Sequence, residues 1–358
     1  MWRSLFTASL LLFAVSGGLF AKLEVKNLFS GRAYLDLEES DPWQQCELLW
    51  QPEMYARVGN EDGLTFTGDI SLQNKLDLIV EPVDLKPEVY RLWGSASFGG
   101  TDLRVGLQKL NFGTARIIRP EQWFDELRAL DPLEETNGVR AAVLKQYFSY
   151  QSGIWLWGVL TKNPFSGLEF RVDDPDNTNL GGRIEFPLPG VETGVSFNAI
   201  DLSAESGLKA KEYQLGLDLR YDGEFGAWIE GSGTKNDGYP IWSSTGYQTS
   251  LTLGTDYTIG LGNGIYLLQE TNVTHSTLSG LPDLKHVLTQ TALLISYPPG
   301  LLDNLQFLTL YDYDSNLNIS LLWQRSYDYW SWELGLNQSF MRGESRKPGL
   351  SFRLNYNI

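Results

Sequence analysis

The sequence predicts an all-β protein: a transmembrane, antiparallel, up-and-down β-barrel of about eighteen strands, with sixteen as the alternative count. Many segments of about 9–11 residues alternate between apolar and polar side chains, as strands between lipid and a lumen do. Short turns and longer polar connections also alternate along the chain. After residue 21 no run approaches 18 apolar residues, so a membrane-embedded chain must close into a barrel to satisfy its backbone in lipid.

The alternation is clearest in the second half of the chain. In 213–221 the row Tyr213, Leu215, Leu217, Leu219 and Tyr221 lies on one face, and the polar residues between them lie on the other. The same design recurs in 247–257, 287–297 and 329–340. A tyrosine at each end of an aliphatic row is typical of the two aromatic girdles at membrane interfaces. The early strands are expected at 23–37, 46–58 and 64–81, the last being one long strand or a broken pair.

The connections differ in length in a regular way. Tight turns are predicted at 99–102, 150–153, 187–190, 221–224, 260–263, 298–300 and 326–328. Longer polar connections are predicted near 112–137, 162–179, 201–210, 234–245, 275–285 and 341–347, and the short link at 313–316 is an exception. Short turns at one end and longer loops at the other are typical of outer-membrane barrels, whereas a soluble sandwich has no reason to separate loop lengths in this way.

The N-terminus has the features of a secretory signal peptide. Arg3 provides a positive charge, Leu5 to Val15 form an apolar run, and small residues precede Ala21. The run is short of the roughly 20 residues that a membrane-spanning helix needs. We therefore expect a signal peptide at 1–21 and one barrel domain at 22–358.

The composition excludes several classes of function. The net charge of -16 disfavours binding to nucleic-acid phosphates, which requires a basic surface. The one cysteine, Cys46, excludes an internal disulfide and the common zinc patterns. No nucleophile–base motif such as GxSxG or HExxH occurs, and the two histidines, His275 and His286, have the character of solvated loop residues. We expect no enzyme activity, no cofactor and no bound metal.

Residues 103–148 resemble a segment of porin-like bacterial outer-membrane barrels. The segment has a strand with a G-x-Q core at Gly106-Leu107-Gln108, an aromatic-Gly step at Phe112-Gly113, and a loop that carries Asp131-Pro132. A return strand follows from Gly138 to Phe148. Phe112 stands where the pattern has Trp. The final strand, 350–358, also resembles the C-terminal signal of such barrels, with Ile358 in place of the usual Phe.

The 112–137 loop is the candidate constriction. Pro120 can occupy the first position of a short helix, which Glu121 would favour at its N-terminus. Trp123, Phe124, Leu127 and Leu130 would then share an apolar face that must be buried. The loop either folds into the lumen or packs outside on its neighbours. If it folds in, the charged residues near the opening are Arg116, Arg119, Asp125, Glu126 and Arg128.

The strand faces opposite the aliphatic rows should line the lumen, because charge on the lipid side is costly. The residues placed inside in this way are Arg183, Glu185, Glu192, Asp218, Arg220, Glu230, Asp256, Glu270, Glu333 and Arg353. Of these, Arg183, Asp218, Arg220 and Arg353 are the pore-lining candidates. The seven acids and three bases predict a mild preference for cations.

The resemblance implies a channel in the bacterial outer membrane for diffusion of small polar solutes. Expected partners are outer-membrane lipid, the solutes themselves and the barrel assembly machinery, and the chain can form a homo-oligomer. The alternatives are a scaffold or adhesin barrel whose outer loops bind a partner and, less favoured, an outer-membrane hydrolase.

Overall fold

The computed structural model describes residues 19–37, 43–60, 63–79, 85–124, 138–161, 177–203, 209–237, 246–277, 287–314, 316–341, 344–345 and 348–358. Eighteen antiparallel strands form the wall of a closed barrel. In chain order they are β1 (Leu19–Asp36), β2 (Trp43–Asn60), β3 (Thr65–Asp77), β4 (Leu85–Phe98), β5 (Thr101–Gln108), β6 (Val139–Tyr147), β7 (Gly153–Thr161), β8 (Asn177–Leu188), β9 (Val191–Ser203), β10 (Lys209–Asp222), β11 (Gly226–Asn236), β12 (Tyr247–Ile259), β13 (Ile265–Thr277), β14 (Val287–Tyr297), β15 (Asp303–Asp312), β16 (Asn316–Ser326), β17 (Trp330–Met341) and β19 (Gly349–Asn357). A two-residue strand, β18 (Glu344–Ser345), pairs with the end of β17.

The barrel closes where the first strand meets the last. Leu28 to Asp36 of β1 pair with Asn357 to Gly349 of β19, and Asn27 and Ile358 exchange two backbone hydrogen bonds at the end of this seam. Every other wall strand pairs with the wall strands before and after it in the chain, so β17 pairs with β19 as well as with the short β18. This up-and-down order leaves no free edge along the seam, as a lipid-facing sheet requires. The predicted fold class and the count of eighteen are confirmed.

The alternation of faces follows the sequence pattern. In β10 the side chains of Leu215 and Leu217 point outward and are exposed, whereas Gln214 and Asp218 are buried on the inner face. The C-terminal strand behaves in the same way, with Phe352 exposed outside. The wall is therefore apolar outside and polar inside, which is the reverse of a soluble globular protein.

The connections also follow the prediction. Two-residue to five-residue turns join β2–β3, β4–β5, β6–β7 and the later pairs at one end, and both described ends of the wall lie at that same end. The 313–316 link is short, as predicted, and in the region predicted at 64–81 the structure has one strand, Thr65–Asp77, rather than a broken pair. Residues 1–18 lie outside the described part, and β1 begins at Leu19, so the signal peptide at 1–21 stays a prediction. Among the described residues no helix is long and apolar enough to cross a membrane.

A charge on the outer face should destabilise the barrel, and the same charge on the inner face should not. We expect Leu217→Arg, near the middle of β10, to lower the free energy of unfolding by about 2–4 kcal/mol because the guanidinium meets lipid. The matched control is Thr234→Arg on the inner face of β11. Urea titration of the protein in lipid vesicles measures both, and equal losses would show that the faces are assigned incorrectly.

Candidate functional site

The described part of the 112–137 loop runs inside the barrel. Its backbone and side chains contact inner-face residues of β7, β8 and β10 to β13. Residues 112–124 therefore do not form the alternative, which was an outer loop packed on its neighbours. This segment consists of turns and bends, so the helix predicted to begin at Pro120 is absent here. Leu127, Leu130 and the rest of 125–137 lie outside the described residues.

Glu230 of β11 holds the first half of the segment. Its carboxylate accepts hydrogen bonds from the backbone N–H groups of Thr114 and Ala115, each at 2.7 Å, and of Glu121 at 2.9 Å. The Glu230 side chain is fully buried beneath the segment. Gly113 allows this close approach, because its φ is +92° and a Cβ there would lie 2.6 Å from Glu230 Oε2.

Glu270 of β13 holds the next turn in the same way. Its carboxylate accepts the backbone N–H groups of Arg116 at 2.7 Å, Ile117 at 2.9 Å and Ile118 at 2.7 Å. The indole Nε1 of Trp228 donates to the same carboxylate at 3.0 Å. Hydrogen bonds to an ionised acceptor are roughly twice as strong as neutral ones. Two wall carboxylates therefore fix the course of residues 114–121 across the lumen.

The apolar side of the segment packs on the inner faces of β6 and β7. Phe112 stacks on Trp157 with ring centroids 5.2 Å apart, and Trp123 meets Phe112 edge-on at 5.4 Å. Phe124 contacts Trp157 edge-on at 5.8 Å. The Trp157 indole donates to Asn198 Oδ1 at 3.0 Å, which satisfies its N–H in this buried position. The prediction that Trp123 and Phe124 are buried is confirmed, although no helix presents them.

A buried charge cluster lies beside the aromatic cluster. Arg183 of β8 forms a bidentate pair with Asp218, at 2.6 and 3.0 Å, and donates to Glu185 at 2.8 Å and to Ser196 at 2.9 Å. Its guanidinium also lies 3.5 Å from the carboxylate of Glu121. Paired and hydrogen-bonded charges of this kind are the form in which charge tolerates burial.

Glu121 is the member of this cluster that comes from the loop. Its side chain is fully buried, and it packs on Gly216 of β10, where a Cβ would lie 2.4 Å from the Glu121 carboxyl carbon. Burial raises the pKa of Glu121 to about 8, and the nearby Asp218 and Glu230 carboxylates act in the same direction. Burial therefore favours the protonated form of the Glu121 carboxyl group in the docked segment.

A second charge cluster lies closer to the short turns. Asp256 accepts the Tyr266 hydroxyl at 2.9 Å and lies 3.8 Å from both Arg116 and Arg220. The Arg220 guanidinium lies 5.1 Å from the Trp228 ring centroid, and the Arg116 guanidinium lies 6.0 Å from it. About half of the Arg116 side chain is exposed, whereas the Arg220 side chain is mostly buried.

The candidates from the sequence are therefore spread over two sides of the barrel. Arg116, Arg183, Asp218 and Arg220 come together around the loop, where Arg119 donates to Asn111 and to the Phe112 carbonyl. Arg353 lies across the barrel on β19, opposite Arg32 and 4.0 Å from Glu333. Asp125, Glu126 and Arg128 lie outside the described residues.

Sequence reasoning missed the anchoring roles of three residues. Glu230 and Glu270 were expected inside as lumen charge, whereas their carboxylates bind backbone N–H groups, and Glu121 was expected at a helix N-terminus. The strand register contains one signal that could have revealed the anchoring role of Glu230. The cross-strand neighbours of Glu230 are Asp218 and Thr252, so it has no basic neighbour on either side. An inward acid without a basic neighbour needs another partner, but the register is not readable from sequence. Among the described residues no group of three or more His, Cys, Asp or Glu could hold a metal ion.

No protein-family model and no curated protein matches the sequence. Solved structures do match the fold. OccAB2 of Acinetobacter baumannii matches with a TM-score of 0.64 at 11% identity, covering 94% of this chain and 98% of that one. The outer membrane protein OpdK of Pseudomonas aeruginosa matches with 0.63 at 9% identity, covering 94% and 98%. OmpF of Salmonella typhi, in complex with daunomycin, matches with 0.52 at 11% identity, covering 94% and 98%. At these identities the likeness shows a shared barrel fold.

Replacing a wall carboxylate by its amide should loosen the segment. We expect trypsin to cleave after Arg116 and Arg119 at least tenfold faster in Glu270→Gln than in the unchanged protein. The reason is that a hydrogen bond to a charged group contributes about 1.5–3 kcal/mol, and Glu270 accepts three from this segment. The control is Glu333→Gln, an inner-face acid of β17 paired only loosely with Arg353. Cleavage in detergent micelles is followed by gel electrophoresis. Equal rates in the two variants would contradict the anchoring role.

Docking of the segment should weaken as the pH rises. The docked state holds the Glu121 proton more tightly than the released state, where the pKa returns to its ordinary value of 4.5. Docking is therefore strongest below pH 4.5 and is progressively lost as the pH rises toward about 8. We expect hydrogen-exchange protection at 114–121, corrected for intrinsic rate, to fall between pH 5 and 9. In Glu121→Gln it should not fall, and a fall of the same size there would exclude Glu121 as the cause.

Proposed function

We propose that this protein is a channel of the bacterial outer membrane through which small polar solutes diffuse. The observation that carries the proposal is the closed wall of eighteen strands, apolar outside and polar inside. Such a wall is stable only in a bilayer, and a barrel of this size encloses a lumen wide enough for solutes. The fold shared with the outer membrane protein OpdK and with OmpF supports the same location.

The 112–137 loop is the constriction of the proposed channel. In support, its described part crosses the inner faces of β7 to β13 and buries them. The opposite half of the wall mixes polar residues with leucines such as Leu308 and Leu322 on its inner face, and many of its polar residues keep partial exposure. Its inner-face residues with partial exposure include Asn304, Gln306, Asn318, Gln324 and Asn355. The passage therefore lies between the loop and the half of the wall formed by β14–β19 and β1.

The selectivity that we propose is a mild preference for cations. Seven of the ten charged inner-face residues predicted from the sequence are acids. Three of those acids already bind other groups, since Glu230 and Glu270 accept backbone N–H groups and Asp218 pairs with Arg183. The remaining acids are partly balanced by arginines, so the preference is weak.

Single-channel recording in a planar bilayer tests the channel and its constriction together. We expect the refolded protein to give discrete conductance steps, with a small reversal potential of cation-selective sign in a salt gradient. Replacing 112–137 by a short Gly-Ser link should raise the step size severalfold, because the loop no longer occupies the lumen. Replacing 278–286, between β13 and β14, by the same link is the control and should leave the step size unchanged.

The result that contradicts the channel is silence from a barrel that is folded, as judged by its heat-dependent migration on gels. That outcome would favour a scaffold or adhesin. Conductance steps that do not grow when 112–137 is replaced would keep the channel and exclude the loop as its constriction.

A further inference from the structure

A recess opens between the segment at 112–116 and the inner faces of β7 to β10. Its volume is about 460 Å³, within the range of roughly 300–1,000 Å³ that is usual for small-molecule sites. Gln151, in the turn between β6 and β7, and Pro187, near the end of β8, place it toward the end of the barrel with the short turns. The anchored segment forms its roof, since Phe112, Thr114 and Arg116 line it.

The charges in the recess balance. Three arginines line it, Arg116, Arg183 and Arg220, together with the three acids Glu185, Glu192 and Asp218. Arg183 is paired with Asp218 and Glu185, as described above. Arg220 forms a bidentate pair with Asp222, at 2.9 and 2.7 Å. The walls therefore carry strong hydrogen-bonding groups without a net charge that would select an ion of either sign.

Two charged groups remain open to a solute. The Arg116 guanidinium is half exposed, and within the described residues its one ion pair is with Asp256 at 3.8 Å, beyond hydrogen-bond distance. Its backbone is fixed by Glu270, so the side chain projects from a rigid position. Glu192, at the start of β9, is exposed, and its side-chain carboxylate makes no hydrogen bond or ion pair with any described residue. The recess thus presents one open donor group and one open acceptor group.

Uncharged polar groups without partners lie in the same wall. Among the described residues, Thr114 Oγ1 and Trp155 Nε1 have no hydrogen-bond partner. Both residues line the recess. Both atoms are covered by their neighbours, so a solute contacts them only when these side chains rotate. Unsatisfied polar groups are costly, and a ligand that satisfies them gains affinity.

We propose that this recess binds a net-neutral, hydroxyl-rich small solute of the monosaccharide or disaccharide class, with Arg116 donating to it and Glu192 accepting from it. The proposal rests on the proposed channel function and names a solute class for it. Sugar hydroxyls both donate and accept, which matches a wall of paired charges, the Thr114 hydroxyl and the Trp155 indole N–H. The apolar surfaces of Trp155 and Pro187 provide contact for the ring carbons. An anion would meet Glu185 and Glu192, and a cation would meet Arg116 and Arg220.

Binding is measured on the folded full chain in detergent by isothermal titration calorimetry, with maltose as the probe. We expect saturable binding whose affinity does not change when the salt concentration is raised tenfold, because the ligand carries no charge. Arg116→Met keeps the side-chain stem and the backbone anchor, and Glu192→Met removes the acceptor. Each should weaken maltose binding at least tenfold. The matched control is Arg104→Met, an inner-face arginine of β5 that does not line the recess.

The outcomes separate the site from the channel. Three results would overturn the proposal for the recess. Maltose binding fails to saturate, or succinate binds instead with an affinity that falls as the salt concentration rises. The third is that Arg104→Met weakens maltose binding as much as Arg116→Met. Conductance of the same preparation is recorded in parallel. Conductance without maltose binding overturns the recess alone, whereas maltose binding by a barrel that never conducts overturns the channel and retains the site.

Discussion

The interior of this barrel depends on two glutamates that bind backbone rather than side chains. Glu230 and Glu270 together accept six N–H groups from residues 114–121. A segment folded as turns leaves such groups without partners, and a buried N–H must find one. Because the wall carboxylates satisfy them, the segment follows the wall without helical structure.

This anchoring divides the lumen into two unlike halves. On the side of β6 to β13 the segment buries aromatic and aliphatic side chains against the wall, and Phe112, Phe124 and Trp157 form a compact cluster there. On the other side, many polar residues of the inner face keep partial exposure. A single loop therefore gives the barrel both a packed core and a passage. The core supplies the rigidity that an unsupported loop in water lacks.

The charges near the loop are arranged in mutually compensating sets. Arg183 is surrounded by Asp218, Glu185 and Glu121, and burial raises the pKa of the last of these. Arg116 and Arg220 share Asp256. Because most charges are already paired, the recess beneath the segment offers hydrogen bonds without net charge. This property, rather than the acidic net charge of the whole chain, determines which solutes the recess can hold.

The sequence by itself determined the fold class and favoured eighteen strands over sixteen, and it indicated the faces of the strands that alternate clearly, because period-two alternation and turn residues are local signals. The apolar residues Trp123 and Phe124 also predicted that the loop must be buried. Tertiary structure alone decided what anchors it. Thr114 and Glu230 are 116 residues apart, and Arg116 and Glu270 are 154 apart. Such pairs meet only once all eighteen strands have taken their register and the wall has closed, so no local pattern can reveal which inward acids bind the loop.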